Sequence, residues 1–224
     1  MILDSLPDLL QDEAFTLRVD LTWKNISERF NYYDARYESP KMIRRELGFH
    51  DEVRLLAYIA YVTRNVPGDF LEIGVWKGKS LALIRDFCEP NKRVIGIDPL
   101  SLPGQLEDFT YFQNALLKDV NFIQGFSEQS LGRLLAVTNK LSVIHIDGGH
   151  LFNNVVTDFF LYDRLLSPGG IIVFDDYSDS QNSPEVKIAV DYLTSSCPEF
   201  KYNVIGTLKE FPNPFVIEKL KTDY

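Results

Sequence analysis

The stretch GDFLEIGVWKGKSLALIRDFC, residues 68–88, joins an apolar run, a glycine-bearing turn and an amphipathic segment. FLEIG (70–74) predicts a buried strand, and KSLALIRDFC (79–88) predicts a helix with its apolar residues on one face. The alternation continues along the chain, with further strands predicted at 93–98, 121–125, 142–147 and 171–176. Near-continuous apolar strands that alternate with helices indicate a parallel sheet covered on both faces.

The chain as a whole predicts a single α/β domain over residues 1–224. A length of 224 residues is long for one ordinary domain and short for two. The expected fold is a doubly wound, mostly parallel, Rossmann-like sheet of about seven strands with an N-terminal helical extension. We assign residues 1–64 to the extension and 65–224 to the core, which closes with strands at 201–206 and 214–220, a hairpin being one arrangement for them.

Composition excludes several classes of partner. The formal net charge of −9 argues against nucleic acid and anionic membrane surfaces, which need clustered Lys and Arg. The first residues are acidic and lack the basic start of a signal peptide, and no apolar run approaches the roughly 20 residues that span a bilayer. Cys88 and Cys197 have no metal-ligand spacing and are interpreted as buried thiols. We therefore expect a cytoplasmic protein; a homo-oligomer is left open.

Acidic side chains stand where the predicted strands end. In a parallel sheet the carboxyl ends of the strands share one edge, and ligands bind there near the point where strand order reverses. The sequence therefore predicts that the following acids line one edge: Glu72, Asp98, Asp147, Asp175 and Asp176.

The glycine turn at 74–80 does not match the common phosphate-binding motifs. Residue 76 is Trp, so G-x-G-x-x-G is absent, and the spacing of Gly74 and Gly78 is one residue short for a P-loop. Asp98, at the tip of the second strand, is placed to accept hydrogen bonds from ribose hydroxyls, although a turn or cap role is its alternative. Together these features favour a nucleoside ligand without a pyrophosphate.

Three of the edge acids are candidate metal ligands. Asp147, Asp175 and Asp176 offer hard oxygen donors, which suit Mg²⁺, Ca²⁺ or Mn²⁺ better than Zn²⁺. Adjacent carboxylates on one strand point to opposite faces, so Asp175 and Asp176 can share an ion only if the strand ends there. The alternative is a set of solvated acids, and packing them together without a cation would raise some of their pKa values.

The three histidines have different expected roles. His145 lies mid-strand in an apolar run, where a hydrogen-bonded core histidine is favoured, and His50 is interpreted as a cap or surface residue. His150 follows the Gly148-Gly149 turn at the ligand edge, where it is a candidate general base, with a helix cap as its alternative.

These motifs together resemble a class I S-adenosylmethionine-dependent methyltransferase. More narrowly, LEIGVWKGKS (71–80), VIGIDPL (94–100) and IHIDGGHLFNNVVTDFFLYDRLLSPGGIIVFDDY (144–177) resemble the metal-dependent macrocin O-methyltransferase-like sugar O-methyltransferases. The resemblance implies that Glu72, Gly74 and Ser80 hold the methionine part of S-adenosyl-L-methionine and that Asp98 holds its ribose. It further implies Mg²⁺ or a similar hard ion on Asp147, Asp175 and Asp176, with His150 or Asp147 as the catalytic base.

One stretch departs from the family pattern. The family often carries Gly-Asp-Ser after the third strand, with the acid near the adenine amine, whereas this chain has Gly125-Phe126-Ser127. We assign Phe126 and Ser127 to the cofactor site, with Phe126 stacking on adenine or Ser127 and Glu128 taking the polar role. The aromatic segment 29–40 is a candidate cover for the acceptor, although core packing explains its tyrosines as well.

The resemblance implies methyl transfer to a hydroxyl of a sugar or glycosylated metabolite, with a small molecule or saccharide as partner. Two alternatives remain: an inactive nucleoside-binding module within an assembly, and a related metal-dependent hydroxylase. An iron oxygenase needs two histidines and a carboxylate, which a chain with three histidines supplies poorly.

Overall fold

The computed structural model describes residues 2–36, 51–196 and 201–220, with side chains described over 4–30, 52–196 and 201–220. The described strands form one seven-stranded sheet. They are β1 Asp69–Ile73, β2 Val94–Asp98, β3 Val120–Gln124, β4 Leu141–Ile146, β5 Leu166–Phe174, β6 Tyr202–Gly206 and β7 Phe215–Lys219. The helices are α1 Leu6–Leu10, α2 Glu13–Arg36, α3 Leu55–Val62, α4 Lys79–Phe87, α5 Gln105–Ala115, α6 Ser127–Leu135, α7 Phe152–Tyr162 and α8 Pro184–Ser196.

The strand order is β3-β2-β1-β4-β5-β7-β6. The strands that follow β1 in the chain are first added on one side of it and then on the other, so strand order reverses between β1 and β4. The first five strands pair in parallel, whereas β7 is antiparallel to both β5 and β6. The predicted doubly wound, mostly parallel sheet with an N-terminal helical extension is confirmed, and the closing strands form an antiparallel hairpin. The ligand edge predicted from topology therefore lies beside β1 and β4.

Both faces of the central strands are buried, which explains their near-continuous apolar sequences. Phe70 and Val143 face the side covered by the N-terminal helices, while Leu71 and Ile144 face the side covered by α7 and α8. On the N-terminal side, Phe15 of α2 packs its ring against aromatic residues of α3 and α4. The helical extension thus contributes to the same core as the sheet.

Two element boundaries differ from those the sequence predicts. The stretch SLGRLLAVTN (130–139) predicts a helix with Ser130 as a cap. In the structure this helix begins at Ser127, and the Ser130 hydroxyl donates to the Phe126 carbonyl at 2.8 Å from inside the helix. The Ser-Pro-Gly-Gly stretch at 167–170 predicts a break between a helix and the strand at 171–176, but these residues already belong to β5. The β4–β5 register shifts there, because Leu141 faces Leu166 whereas Val143 faces Ile171, so the Pro-Gly-Gly stretch forms an irregularity within the strand.

No helix in the described ranges is long and apolar enough to cross a membrane.

The fold requires glycine at position 74, where the backbone passes close to the end of β4. Gly74 has φ of 87°, and a Cβ atom there would lie 1.9 Å from the Asp147 carbonyl oxygen. A left-handed residue costs about 1–2 kcal/mol and overpacking about 1–3 kcal/mol. We therefore expect Gly74→Ala to lower the free energy of unfolding by at least about 2 kcal/mol, measured by urea denaturation.

Gly132→Ala is the matched control. Gly132 lies inside α6 and a Cβ atom there would meet no atom within 4 Å. Alanine in an exposed helix interior should raise stability by about 0.5–1 kcal/mol. Equal changes in the free energy of unfolding for Gly74→Ala and Gly132→Ala would contradict the close approach of Gly74 to the Asp147 carbonyl.

Candidate functional site

The predicted edge acids do meet at one edge of the sheet. Glu72 lies near the end of β1 and Asp98 ends β2, while Asp147 follows β4 and the pair Asp175-Asp176 follows β5. Asp147 is tied to the neighbouring strand, since its amide donates to the Ile73 carbonyl at 2.8 Å. The topology that parallel pairing imposes is therefore what gathers these carboxylates.

Around Asp147 the described side chains place possible metal-ligating atoms in two overlapping sets. One set is His145, Asp147 and Asp175, and the other is Asp147, His150 and Asp176, with the ligand atoms of each set within 4.8 Å of one another. The three predicted metal ligands thus lie in one neighbourhood, with Asp147 common to both sets. Carboxylate oxygens with one imidazole nitrogen fit a divalent cation.

The cluster disfavours its own negative charges. Burial raises the pKa of Asp147 well above its usual range, and the charges of Asp175 and Asp176 raise it further. The sequence prediction that close acids would raise one another's pKa values agrees with this direction. A bound cation would offset the repulsion that these carboxylates exert on each other.

Four polar contacts hold His150 and Asp176 together on the outer side of the cluster. His150 Nε2 lies 3.2 Å from Asp176 Oδ2, and the Ser183 hydroxyl lies 2.9 Å from His150 Nδ1 and 3.2 Å from Asp176 Oδ2. Asn213 donates to the other oxygen of Asp176 at 3.3 Å. Asp176 itself adopts a left-handed backbone with φ of 56°, just beyond the end of β5 at Phe174.

Glu72 and His145 form a buried pair on adjacent strands. They face each other in the β1–β4 register, and Glu72 Oε1 lies 2.9 Å from His145 Nδ1. Burial lowers the pKa of His145, but the Glu72 hydrogen bond and nearby carboxylates outweigh it and raise the pKa overall. His145 is thus a hydrogen-bonded core histidine, as favoured from the sequence, and it also reaches the acid cluster.

The second oxygen of Glu72 is buried and has no hydrogen-bond partner among the described residues. An unsatisfied buried carboxylate oxygen is costly unless a ligand completes it. A cationic ammonium group, such as that of an amino-acid arm, would satisfy it. This orphaned oxygen is the feature of the first strand that best fits a cofactor carrying such an arm.

The Asp98 carboxylate is engaged by the chain itself. Its Oδ2 accepts from the amides of Val75 and Trp76 at 2.8 and 3.0 Å, and its Oδ1 accepts from the Leu100 amide and the Gln105 side chain. Asp98 therefore orders the glycine turn, in which Trp76 has φ of 52°. Ribose hydroxyls at this carboxylate would have to share or replace these donors.

The remaining predicted cofactor residues lie around the same edge. Ser80 is half-buried in the first turn of α4, and the Phe126 ring is half-exposed immediately before α6. The Ser127 hydroxyl lies 3.4 Å from Glu128, and its carbonyl accepts from the Tyr162 hydroxyl at 2.6 Å. His50, Cys197 and the side chains of 31–40 lie outside the described residues.

Residues from other elements also support the site. The position of Ser183 before Pro184 predicts only a helix cap, and nothing in the sequence pattern indicates its contact with His150, 33 residues away. Asn213 lies in the long loop between the closing strands. Asp158 of α7 follows no strand and matches no motif, yet it is buried and its carboxylate lies beside the Gly148 turn.

Comparisons with known proteins agree with this geometry. A methyltransferase-domain family matches residues 71–177. An uncharacterized protein of Acanthamoeba polyphaga mimivirus is 33% identical over 192 residues, which cover 81% of this chain and 84% of that protein. The 8-demethyl-8-(2,3-dimethoxy-alpha-L-rhamnosyl)-tetracenomycin-C 4'-O-methyltransferase of Streptomyces olivaceus is 28% identical, over 51% of this chain and 54% of its own. A solved O-methyltransferase from Bacillus cereus in complex with SAH superimposes with a TM-score of 0.64 at 16% identity, covering 88% of this chain and 91% of that one.

The sheet order, together with the match of residues 71–177 to a methyltransferase domain, identifies a class I methyltransferase. The chain belongs to the methyltransferase-domain family. The resemblance to S-adenosylmethionine-dependent methyltransferases and the expectation of an enzyme are therefore confirmed.

Asp158 should make stability depend on pH. Burial raises the pKa of this carboxyl to about 6, against a hydrogen bond from Ser127 that lowers it. In an unfolded chain the pKa is about 3.9, so the favourable contribution of the neutral acid is complete below pH 4 and is lost as pH rises through 6. Asp158→Asn, which stays neutral, should therefore be more stable than the parent at pH 7 by about 1–2 kcal/mol.

Thermal denaturation at pH 4 and pH 7 measures this difference. The advantage of Asp158→Asn over the parent should shrink at pH 4, and Asp119→Asn, the same change at an exposed position, is the control. An equal stability gap at both pH values would contradict an ionised, buried Asp158.

Proposed function

We propose that this protein transfers a methyl group from S-adenosyl-L-methionine to a hydroxyl of a sugar or glycosylated metabolite, with the help of a divalent cation such as Mg²⁺. The observation that carries this proposal is the convergence of carboxylates and imidazoles around Asp147, beside the glycine turn of a methyltransferase fold. The Streptomyces olivaceus relative, whose name describes methylation of a rhamnosyl compound, supports a sugar acceptor.

On this proposal, the first two strands hold the cofactor. Glu72 receives the ammonium of the methionine arm at its unsatisfied oxygen, and the backbone of the turn that begins at Gly74 would lie along the arm. Asp98 holds the turn and receives the ribose, while the exposed ring of Phe126, beside Ser127, offers a stacking surface for adenine. The sulfonium methyl group would then face the Asp147 cluster.

The acid cluster prepares the acceptor. Asp147, Asp175 and Asp176 would hold the cation, which supplies Lewis-acid activation of a bound hydroxyl. His150, whose imidazole contacts Asp176, is the base that takes the hydroxyl proton. A carbon–oxygen bond forms as the carbon–sulfur bond breaks, so that S-adenosylhomocysteine leaves with both electrons of that bond. Alignment of the two substrates supplies much of the rate.

The proposed acceptor is a small molecule or saccharide in the cytoplasm; the net charge of −9 disfavours a nucleic acid. The hydroxylase alternative is disfavoured, since each of the two sets found among the described residues has one histidine and two carboxylates and not the reverse. The binding-module alternative predicts cofactor affinity without turnover and without any response to metal.

Calorimetric titration and a turnover assay together test the proposal. S-adenosylmethionine and S-adenosylhomocysteine should bind the native protein, and NAD should not. Excess chelator should abolish methyl transfer from labelled donor to sugar acceptors while cofactor binding persists, because none of the proposed cofactor residues is a proposed metal ligand. Absence of binding heat with both sulfur nucleosides would exclude the cofactor, and full turnover in chelator would exclude the metal role.

Substitutions at His150 and Asp147 should impair turnover in different ways. His150→Ala removes the base and should lower kcat by about 10²–10⁴-fold while metal affinity stays. Asp147→Asn should weaken metal binding, so that raising the Mg²⁺ concentration restores part of the rate. The measurement is kcat against Mg²⁺ concentration for both variants, and an unchanged kcat in His150→Ala would leave His150 as a structural residue.

A further inference from the structure

Four donors converge on the carboxylate of Asp98, the last residue of β2. Its Oδ2 accepts the amides of Val75 and Trp76 at 2.8 and 3.0 Å, and its Oδ1 accepts the amide of Leu100 at 2.6 Å. The fourth donor is the side-chain amide of Gln105, whose Nε2 lies 3.1 Å from Oδ1. An ionised carboxylate offers about four lone-pair sites, so these donors use all of them.

A ribose hydroxyl that donates to Asp98 has to take the place of one of these donors. Three of the four are backbone amides in turns that contain left-handed residues, since Trp76 has φ of 52° and Leu100 has φ of 50°. Such conformations persist only where the surrounding structure determines them, so moving these amides would require both turns to refold. Gln105 donates from its side chain, and a small rotation about its side-chain bonds is enough to break its contact.

We propose that Gln105 competes with the ribose of the cofactor for Asp98 Oδ1 and thereby sets the affinity of the nucleoside site. This inference rests on the proposed function, in which Asp98 receives the ribose. The oxygen of a hydroxyl that donates to Oδ1 is itself an acceptor for the displaced amide of Gln105. The exchange replaces a hydrogen bond to a carboxylate by a weaker one to a neutral oxygen, so it offsets part of the free energy gained from the ribose.

The other contacts of the Gln105 side chain keep it beside Asp98 during this exchange. Its Oε1 accepts the Leu102 amide at 3.2 Å, and its Nε2 also lies 3.3 Å from the Trp76 carbonyl oxygen. A side-chain amide has two N–H bonds, so one stays on Trp76 when the other leaves Asp98. Gln105 therefore exchanges one hydrogen bond and keeps its buried place at the start of α5.

A buried ion pair holds α5 to the glycine turn without the help of Gln105. Lys77 Nζ lies 3.2 Å from Asp108 Oδ2, and both side chains are 4% exposed. Lys77 belongs to the turn between β1 and α4, and Asp108 lies in the first turn of α5. Separating a buried pair is strongly unfavourable, so α5 should keep its position when the Gln105 amide is removed.

The competition acts on the methyl donor and on the product alike, because both carry the same ribose. It lowers the affinity for both, which favours release of S-adenosylhomocysteine after transfer. A carboxylate that the protein already satisfies gains less from a ligand hydroxyl than an unsatisfied one does. The contribution of the ribose hydroxyls to binding therefore reports on Gln105.

Calorimetric titration of two nucleosides into two proteins measures this competition. The nucleosides are S-adenosylhomocysteine and its 2′,3′-dideoxy analogue, and the proteins are the full parent chain and Gln105→Leu. With the dideoxy analogue, the parent keeps Asp98 Oδ1 satisfied through Gln105, whereas the variant lacks this donor. The Kd of the dideoxy analogue divided by that of S-adenosylhomocysteine should therefore be about 10-fold larger in Gln105→Leu than in the parent.

Gln113→Leu is the matched control, because it makes the same change about two turns further along α5. Its Kd ratio should equal that of the parent. If Gln105 only supported the fold, its loss would weaken both nucleosides equally, so a ratio in Gln105→Leu equal to or smaller than the parent's would overturn the proposal. Gln105→Met, which also lacks the amide, replaces Gln105→Leu if that variant does not fold.

The side-chain amide of Gln105 gives a second readout in the parent alone. Its ¹H–¹⁵N signals should shift when S-adenosylhomocysteine binds and stay nearly unchanged with the dideoxy analogue, which has no hydroxyl to donate to Oδ1. Equal shifts with both nucleosides would overturn the proposal even if neither variant folds.

The outcomes separate this inference from the proposed function. If S-adenosylhomocysteine does not bind, the proposed function fails and this inference fails with it. If it binds and the Kd ratio is the same in the parent and in Gln105→Leu, the inference alone fails and the cofactor assignment stands. A larger ratio in Gln105→Leu, together with the selective shift of the Gln105 signals, supports the competition whichever acceptor the protein methylates.

Discussion

The close approach of β1 to the end of β4 is the constraint on which the site depends. The Asp147 amide donates to Ile73, and the Asp147 carbonyl lies where any side chain at position 74 would have to be. Glycine at 74 therefore lets two neighbouring strands end side by side. One strand leads into the cofactor turn and the other into the acid cluster, so the distance between the two is set by backbone pairing and not by flexible side chains.

The buried acids at this edge lower the free energy of unfolding. Burial and neighbouring carboxylates disfavour the charge of Asp147, the Glu72 side chain keeps one oxygen unsatisfied among the described residues, and Asp158 adds another buried acid nearby. Groups of this kind reduce stability and are retained where a ligand compensates for them. The apolar faces of the sheet supply the stability that permits this arrangement.

The sheet and its edge acids could be predicted from the sequence, because strand ends and apolar periodicity are local signals. The hydrogen-bonded state of His145 also followed from its place in an apolar run. The contacts of Ser183 and Asn213 with the cluster could not be predicted, since they depend on how the loops after β5 and β6 fold back over the edge. Nothing in the sequence indicated that the Asp98 carboxylate accepts hydrogen bonds from the amides of the glycine turn. Four donors converge on this carboxylate only once the chain has folded.

The contact between Asn213 and Asp176 has a consequence for biosynthesis. On a ribosome the chain emerges from its N-terminus, so the glycine turn, Asp147 and Asp176 leave the tunnel well before position 213. Until then Asp176 lacks its hydrogen bond from Asn213, and β5 lacks the antiparallel neighbour that covers its outer edge. A nascent chain can thus build most of its core before Asn213 contacts Asp176. The acid cluster is completed late in translation, when the hairpin of β6 and β7 has formed.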